Sequence, residues 1–196
     1  MTAAPKVLVF AGSSRQGSLN KQLARLVAKR IEALGGVATF VDLKDYPCPL
    51  FDEDIETQGI PENVLKLRKL LADHQALFIA SPEYNGFITP LLKNTLDWLS
   101  RPYEDTPGLA LYSGKWAALV SASPGGLGGI RAMPLAQQLL ANLGLIVLPQ
   151  PMSLSKAHTA FDETGAFIEE TNSKKLDALC QRLVDILACT SEKILL

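Results

Sequence analysis

The sequence predicts an α/β protein that is built on an open, parallel β-sheet with helices on both faces. Short apolar runs alternate with segments of helical periodicity along the whole chain, which is the pattern typical of such sheets. The composition agrees, since 47% of the 196 residues are hydrophobic and only 20% are charged. Strands that are buried on both faces are continuously apolar. We expect residues 1–196 to form a single domain, because chains of this length rarely divide.

Five apolar runs predict the strands. They cover residues 6–12, 37–43, 76–81, 115–122 and 145–148. Runs of this length suit strands better than helices, and the first of them ends at a glycine. Five strands with a crossover suit the order 2-1-3-4-5, which is the flavodoxin-like version of this fold.

The segments between these runs predict the helices. They cover residues 18–34, 61–75, 90–100, 130–143 and 171–189. The first has apolar residues at the spacing of a helix with one inward face, and Gly35 and Gly36 end it. Pro61 is favourable in the first turn of the second helix. From Pro47 onward we expect an irregular acidic loop.

The charge balance and the cysteine content exclude several classes of protein. There are 19 basic and 20 acidic residues, which give a net charge of −1. Nucleic-acid-binding proteins normally carry a basic excess, so we expect no such partner. The three cysteines include no CxxC pair, and the two histidines lie far from them along the chain. We therefore expect neither a disulfide framework nor a metal site.

The sequence gives no indication of a membrane segment. Residues 132–155 carry no charge, but glutamines, an asparagine, a glycine and prolines interrupt them. A membrane-spanning helix needs about 20 mainly apolar residues. The amino terminus also lacks the long apolar stretch of a secretory signal. We expect a soluble protein of the cytoplasm with no membrane partner.

The loop after the first predicted strand has the composition of a phosphate-binding loop. Its residues are Ser13, Ser14, Arg15, Gln16, Gly17, Ser18, Leu19 and Asn20. It offers hydroxyls, an amide and a guanidinium just before a helix, where free N–H groups and the helix dipole favour an anion. Ligands of parallel sheets bind beyond the carboxyl ends of the strands. The alternative is that Ser18 only caps the helix and the glycines only permit a tight turn.

This loop predicts phosphate binding without hydrolysis. Gly12 and Gly17 have the spacing of a Walker A motif, but the required Lys-Ser/Thr is absent. ATP or GTP hydrolysis would lose its main electrostatic aid without that lysine. The loop has no GxGxxG pattern of dinucleotide-binding folds, and it contains no cysteine to act as the nucleophile of a phosphatase.

The loop after the third predicted strand suits a flat heterocycle. Its residues are Pro82, Glu83, Tyr84, Asn85 and Gly86, which combine a stiff turn, exposed N–H groups and an aromatic ring. The alternative is a turn whose tyrosine packs back on the sheet. We assign no proton-transfer role to the glutamate, because an exposed loop carboxylate is usually only solvated.

The loop after the fourth predicted strand is rich in glycine. Four of the residues 123–129 are glycines, and they precede a helix. Without side chains, the backbone at Ser123, Gly125 and Gly126 can contact a planar ligand directly. A flexible connector is the alternative, but the position at the end of a strand favours binding.

The three loops, together with residues 92–98, resemble the motifs of the NADPH-dependent FMN reductase family. This family includes enzymes described as quinone, azo-dye and chromate reductases, and the resemblance covers about residues 6–189. It implies that the first loop holds the FMN phosphate, with Arg15 supplying charge. It also implies that the second loop borders the isoalloxazine and that the third closes its other side.

The resemblance further implies an enzyme that uses FMN and NADPH. A hydride would pass from NAD(P)H through FMN to a small-molecule acceptor: a free flavin, a quinone, an azo compound or a metal oxyanion. No side chain would then be catalytic. The family also implies a homodimer or homotetramer, with Trp98 and Leu99 in the interface; ordinary core packing is the alternative. Phe87 stands where many relatives have a small polar residue.

Two other functions use the same loops. One is a non-enzymatic electron carrier of the flavodoxin type, which needs a strongly charged face to steer its partners. A net charge of −1 and an isoelectric point near 6.1 speak against it. The other is a flavin-binding sensor, which would need the same residues to hold the cofactor.

Overall fold

The computed structural model describes the backbone of residues 4–193 and the side chains of residues 4–190. The strands are β1 (Lys6–Ala11), β2 (Val37–Val41), β3 (Ala76–Ala80), β4 (Trp116–Ala122), β5 (Ile146–Val147) and β6 (Met152–Leu154). The helices are α1 (Leu19–Ala33), α2 (Glu53–Thr57), α3 (Glu62–Ala72), α4 (Pro90–Leu99), α5 (Ala132–Asn142) and α6 (Glu170–Lys193). Short 3-10 helices lie at Leu43–Asp45, Gly108–Leu111 and Ala157–Thr159.

The strands form one parallel sheet in the order β2-β1-β3-β4-β5, as the sequence predicts. Alternate side chains of the central strands enter two apolar clusters, one on each face. Val7 and Val9 belong to the cluster that includes α1 and α6. Leu8 and Phe10 belong to the cluster that includes α3, α4 and α5. This burial on both faces explains the continuous apolar runs in the sequence.

The fifth predicted strand, residues 145–148, is observed as β5, and β6 is a sixth strand that the sequence did not predict. β5 pairs with Trp116 and Ala117 of β4, and β6 pairs with the last three residues of β4. Pro149 and Pro151 stand between the two strands, and Gln150 between them has a φ of 61°. Proline has no N–H to donate to a ladder, so the chain leaves the sheet and then rejoins it. The predicted count of five strands is therefore corrected to six, of which two share one position.

The helix boundaries follow local signals. Ser18 caps α1, its hydroxyl accepting a hydrogen bond from the Lys21 N–H, and Gly35 follows the helix with a φ of 83°. The acidic loop after Pro47 is not wholly irregular, because it contains α2, which Asp52 caps by accepting a hydrogen bond from the Asp54 N–H. Five residues are too few to show helical periodicity, so Asp52 at the cap position is the sequence feature that indicates this helix.

Trp98 and Leu99 lie in the core, where they are 0% and 4% exposed. The Trp98 Nε1–H donates to the Pro49 carbonyl at 2.8 Å, and the Phe51 ring packs edge-on with centroids 5.0 Å apart. The prediction that these two residues form an interface is wrong, and core packing, the alternative reading, is confirmed. A helix that faces the core and a helix that faces a partner subunit have the same apolar spacing, so the sequence alone cannot separate them.

Within residues 4–193, no helix is long and apolar enough to cross a membrane. The same part of the chain contains no group of three His, Cys, Asp or Glu side chains that could hold a metal ion. The cysteines are free, and burial raises the pKa of the Cys180 thiol to about 12.

Candidate functional site

The three predicted loops meet in one groove at the carboxyl edge of the sheet. β1, β3 and β4 are neighbours in parallel register, so their carboxyl ends lie side by side. Nine of the predicted residues line the groove: Ser13, Arg15, Ser18, Leu19, Asn20, Pro82, Glu83, Tyr84 and Ser123. Ala122 and Pro124 complete the lining. The other predicted residues, Ser14, Gln16, Gly17, Asn85, Gly86, Gly125 and Gly126, lie on the same loops outside this lining.

The first loop presents free donors to solvent. Arg15 is exposed and forms no ion pair with any residue described by the structure. The backbone N–H groups of Gln16 and Gly17 likewise have no partner within the described range. Unpaired N–H groups before a helix, beside a guanidinium, are suited to a phosphate dianion.

A buried ion pair fixes the first loop from beneath. Lys21 is 3% exposed, and its Nζ donates to the Ser14 carbonyl at 3.1 Å and to the Asp42 carboxylate at 2.7 Å. Burial raises the pKa of Asp42, but the bonds from Lys21 and the Lys44 N–H outweigh burial and lower it below its usual range. The pair joins the loop to the end of β2. The sequence places Lys21 in the first turn of a helix, but nothing in it indicates the contact with Asp42.

Asn20 ties the first loop to the third. Its Nδ2 donates to the Ala122 carbonyl at 2.7 Å, and its Oδ1 accepts from the Ala122 N–H at 2.9 Å. The side chain is 3% exposed, so both of these hydrogen bonds are buried. The Asn20 carboxamide therefore positions the loop, and its polar atoms are already occupied by the backbone.

The second loop is a tight hairpin with an aromatic pair. Asn85 and Gly86 have φ values of 54° and 82°, and Tyr84 and Phe87 exchange both of their backbone hydrogen bonds. Two consecutive positive φ angles are the requirement of a two-residue hairpin turn, which Asn-Gly satisfies best. Tyr84 is 54% exposed and Phe87 is 50% exposed. The tyrosine thus does not pack back on the sheet.

Glu83 caps the helix that follows the third loop. Its carboxylate accepts from the N–H groups of Arg131 and Ala132 at 3.0 and 3.3 Å, and from the Arg131 Nε at 2.6 Å. Burial raises the pKa of Glu83, but the Arg131 side chain and the two N–H groups lower it overall. This carboxylate is held ionised at the start of α5, and its side chain is only 6% exposed, so the expectation of an exposed, solvated carboxylate is wrong.

The glycines of the third loop divide into two kinds. A Cβ on Gly129 would lie 2.0 Å from the Ser121 Oγ, and one on Gly128 would lie 2.8 Å from the Leu154 carbonyl carbon. These two glycines, which the sequence did not single out as site residues, let the chain pack closely against β4 and β6. Gly125 and Gly126 are exposed, and a Cβ on Gly126 would meet nothing within 4 Å. Of these four glycines, only Gly125 and Gly126 are therefore open to a ligand.

These residues fit a ligand that has a phosphate at one end and a flat ring at the other. Free N–H groups and Arg15 suit the phosphate, and Pro82, Tyr84, Ser123 and Pro124, which line the same groove, suit the ring. FMN has both parts. A flavodoxin-like sheet with such loops defines the class of FMN-binding proteins.

Sequence and structure comparisons give the family. A sequence model of the NADPH-dependent FMN reductases matches residues 5–159. The NAD(P)H-dependent FMN reductase PA1204 of Pseudomonas aeruginosa is 35% identical over 182 residues, covering 91% of this chain and 92% of that protein. A quinone reductase of Pseudomonas putida is 33% identical over 172 residues, covering 87% and 89%.

The solved structures agree with the sequence relatives. FerB, a flavoenzyme NAD(P)H:acceptor oxidoreductase of Paracoccus denitrificans, superposes with a TM-score of 0.81 at 28% identity and covers 94% of this chain and 98% of its own. The chain belongs to the NADPH-dependent FMN reductase family. It is an FMN-dependent NAD(P)H oxidoreductase, as the resemblance of its three loops implies, and nothing supports the carrier or the sensor.

Glu83 is expected to stabilise the fold in a pH-dependent way. Because its pKa is lowered on folding, the carboxylate contributes stability above its ordinary value of 4.5, and this is lost as the pH falls through the lower folded value. Glu83→Gln should cost about 1–2 kcal/mol of unfolding free energy at pH 7, since it replaces charge-assisted hydrogen bonds. Urea unfolding of the FMN-free protein and of the variant at pH 7 and at pH 3.5 would measure the difference in unfolding free energy at each pH.

Glu163→Gln is the matched control, because Glu163 is exposed and receives no hydrogen bond from its described surroundings. It should change stability by less than about 0.5 kcal/mol. If Glu83→Gln lowers the unfolding free energy by the same amount at both pH values, the ionised carboxylate does not supply this stability.

Proposed function

We propose that the three predicted loops hold FMN in the groove, with Asn20 and Glu83 positioning the loops and the groups that remain free binding the flavin. The first loop would bind the phosphate, with Arg15 and the free N–H groups as donors. Pro82 and Tyr84 would border one side of the ring, and Ser123 with Gly125 and Gly126 the other. The observation that carries this proposal is the convergence of all three loops in one groove at the end of β1, β3 and β4.

We propose a quinone as the acceptor. When bound, FMN would supply the hydride transfer between NAD(P)H and the second substrate. The chain's own part is to hold the ring and to leave one face open beside the half-exposed pair of Tyr84 and Phe87. Aromatic side chains favour contact with a flat, partly apolar molecule. The quinone reductase named among the relatives supports this acceptor.

Arg15→Ala should weaken binding of FMN about tenfold, because a charge-assisted hydrogen bond contributes on the order of 1.5 kcal/mol. Binding of riboflavin, which has no phosphate, should change less than twofold. Quenching of flavin fluorescence during titration of the FMN-free protein would give both dissociation constants. Lys6→Ala is the control, since Lys6 is an exposed cation at the opposite end of β1.

An equal loss of affinity for FMN and riboflavin in Arg15→Ala would contradict the phosphate assignment. Such a result would mean that the guanidinium contacts the flavin ring or stabilises the fold, and does not bind the phosphate.

The FMN-loaded protein should lose its flavin absorbance near 450 nm within seconds of anaerobic addition of one equivalent of NADPH, and a simple benzoquinone should restore it. Phe87→Ser should raise the KM for the quinone several-fold, because the half-exposed ring stands beside the open face where the quinone would bind. Stopped-flow absorbance would measure the two half-reactions separately. Faster reoxidation by an azo compound or chromate than by any quinone would overturn this acceptor.

We further propose a cytoplasmic homodimer or homotetramer in which each chain is a single flavin-binding domain. Leu50 is 78% exposed beside α4, and Phe87 precedes the same helix, so an apolar surface flanks it. The free cysteines suit a reducing compartment.

Light scattering after gel filtration should give two or four times the chain mass of 21.2 kDa. A single chain mass at micromolar concentration would overturn the assembly.

A further inference from the structure

A second groove begins at the phosphate loop and runs along α1. Its lining includes Gly17 and Ser18 of the loop, Arg25 and Lys29 of α1, and Gly165 from a later turn. The cavity has a volume of about 340 Å³. Pockets that bind small molecules usually begin near ~300 Å³. This groove is therefore large enough for a ligand, and it meets the proposed FMN site only at its loop end, at Gln16, Gly17 and Ser18.

The groove carries two cations with no carboxylate partner. Arg25 and Lys29 stand one turn apart on α1, are exposed, and form no ion pair with any residue between 4 and 190. The Arg25 guanidinium lies 4.8 Å from the centre of the Phe40 ring, which supports it. Asp42, whose pKa the charge of Arg25 helps to lower, already accepts from Lys21. The groove is thus positively charged.

The outer wall of the groove is a hairpin that is ordered by its own contacts. The Asp162 Oδ1 accepts from the N–H groups of Thr164 and Ala166 at 2.8 and 3.0 Å. The rings of Phe161 and Phe167 stack with centroids 5.1 Å apart. This hairpin follows residue 159, where the match to the family model ends. The wall therefore belongs to a part of the chain that the family pattern does not cover.

We propose that this groove holds the adenylate half of a flavin dinucleotide, so that the protein binds FAD as well as FMN. The proposal rests on the proposed function, in which the first loop holds the flavin phosphate. In FAD a second phosphate is joined to the first, and the groove begins at that loop, at Gly17 and Ser18. The second phosphate would meet Arg25 and Lys29, and the adenosine would lie between α1 and the turn at Thr164 and Gly165.

The position of the groove favours FAD over the pyridine nucleotide as the source of the adenylate. In FAD the adenylate is joined to the flavin phosphate, so it must leave from the loop where the groove begins. The nicotinamide of NADPH must instead contact the flavin ring, which would lie in the other groove beside Pro82 and Tyr84. The only shared lining residue of the two grooves is Ser18, on the phosphate loop.

The test is titration of the FMN-free protein with FMN and with FAD, followed by flavin fluorescence. In the double variant Arg25→Gln/Lys29→Gln, the dissociation constant for FAD should rise about tenfold, and that for FMN should change less than twofold. The matched control is Lys6→Gln/Lys69→Gln, which removes two exposed cations at the amino end of the sheet. It should leave both constants unchanged.

Several outcomes would overturn the proposal. FMN binding without FAD binding would overturn it and leave the proposed function intact, whereas failure of both flavins to bind would overturn both. Equal weakening of FMN and FAD in the double variant would show a general effect of charge. Weaker binding of NADP⁺ to the FMN-loaded double variant, with FAD binding unchanged, would assign the groove to the pyridine nucleotide.

Discussion

The two hydrogen bonds between the Asn20 carboxamide and the backbone of Ala122 are the interaction on which the site depends. They join the first turn of α1 to the end of β4, which are 102 residues apart in the chain. Both partners are buried, so loss of the carboxamide would leave a donor and an acceptor unsatisfied, at about 1–3 kcal/mol for each. The spacing between the phosphate loop and the glycine loop is therefore set by the protein before any ligand binds.

Two more polar pairs complete this arrangement. Lys21 with Asp42 holds the first loop to the end of β2, and Glu83 with Arg131 holds the second loop to the start of α5. The side chains that position the loops are thus occupied by one another. Groups that are left free, such as the Arg15 guanidinium, are the ones suited to a ligand. Such a division reduces the ordering that binding requires, and so favours affinity.

The sequence predicts the parts of this site that depend on local chemistry. Glycines, serines and an Asn-Gly pair after apolar runs place the three loops, because turn type and strand burial are properties of neighbouring residues. The partners of Lys21 and Glu83 are 21 and 48 residues away, so no spacing in the sequence indicates them. The same limit applies to Trp98, whose apolar position on a helix suits a core and an interface alike. The strand β6 is not predicted, because Pro149 and Pro151 lack the N–H that a ladder needs and so indicate where a strand ends, but not that the chain rejoins the sheet.

The interruption between β5 and β6 also affects how the protein behaves in a crowded solution. An outer strand that is long and flat offers a row of unpaired backbone groups to the edge of another sheet, and this is a common start of aggregation. Here the outer position beside β4 is filled by β5, with two residues, and β6, with three, and the chain between them turns out of the sheet at two prolines. Neither piece is long enough to guide an added strand. The break that costs the sheet a few hydrogen bonds thus also keeps this edge from joining another molecule.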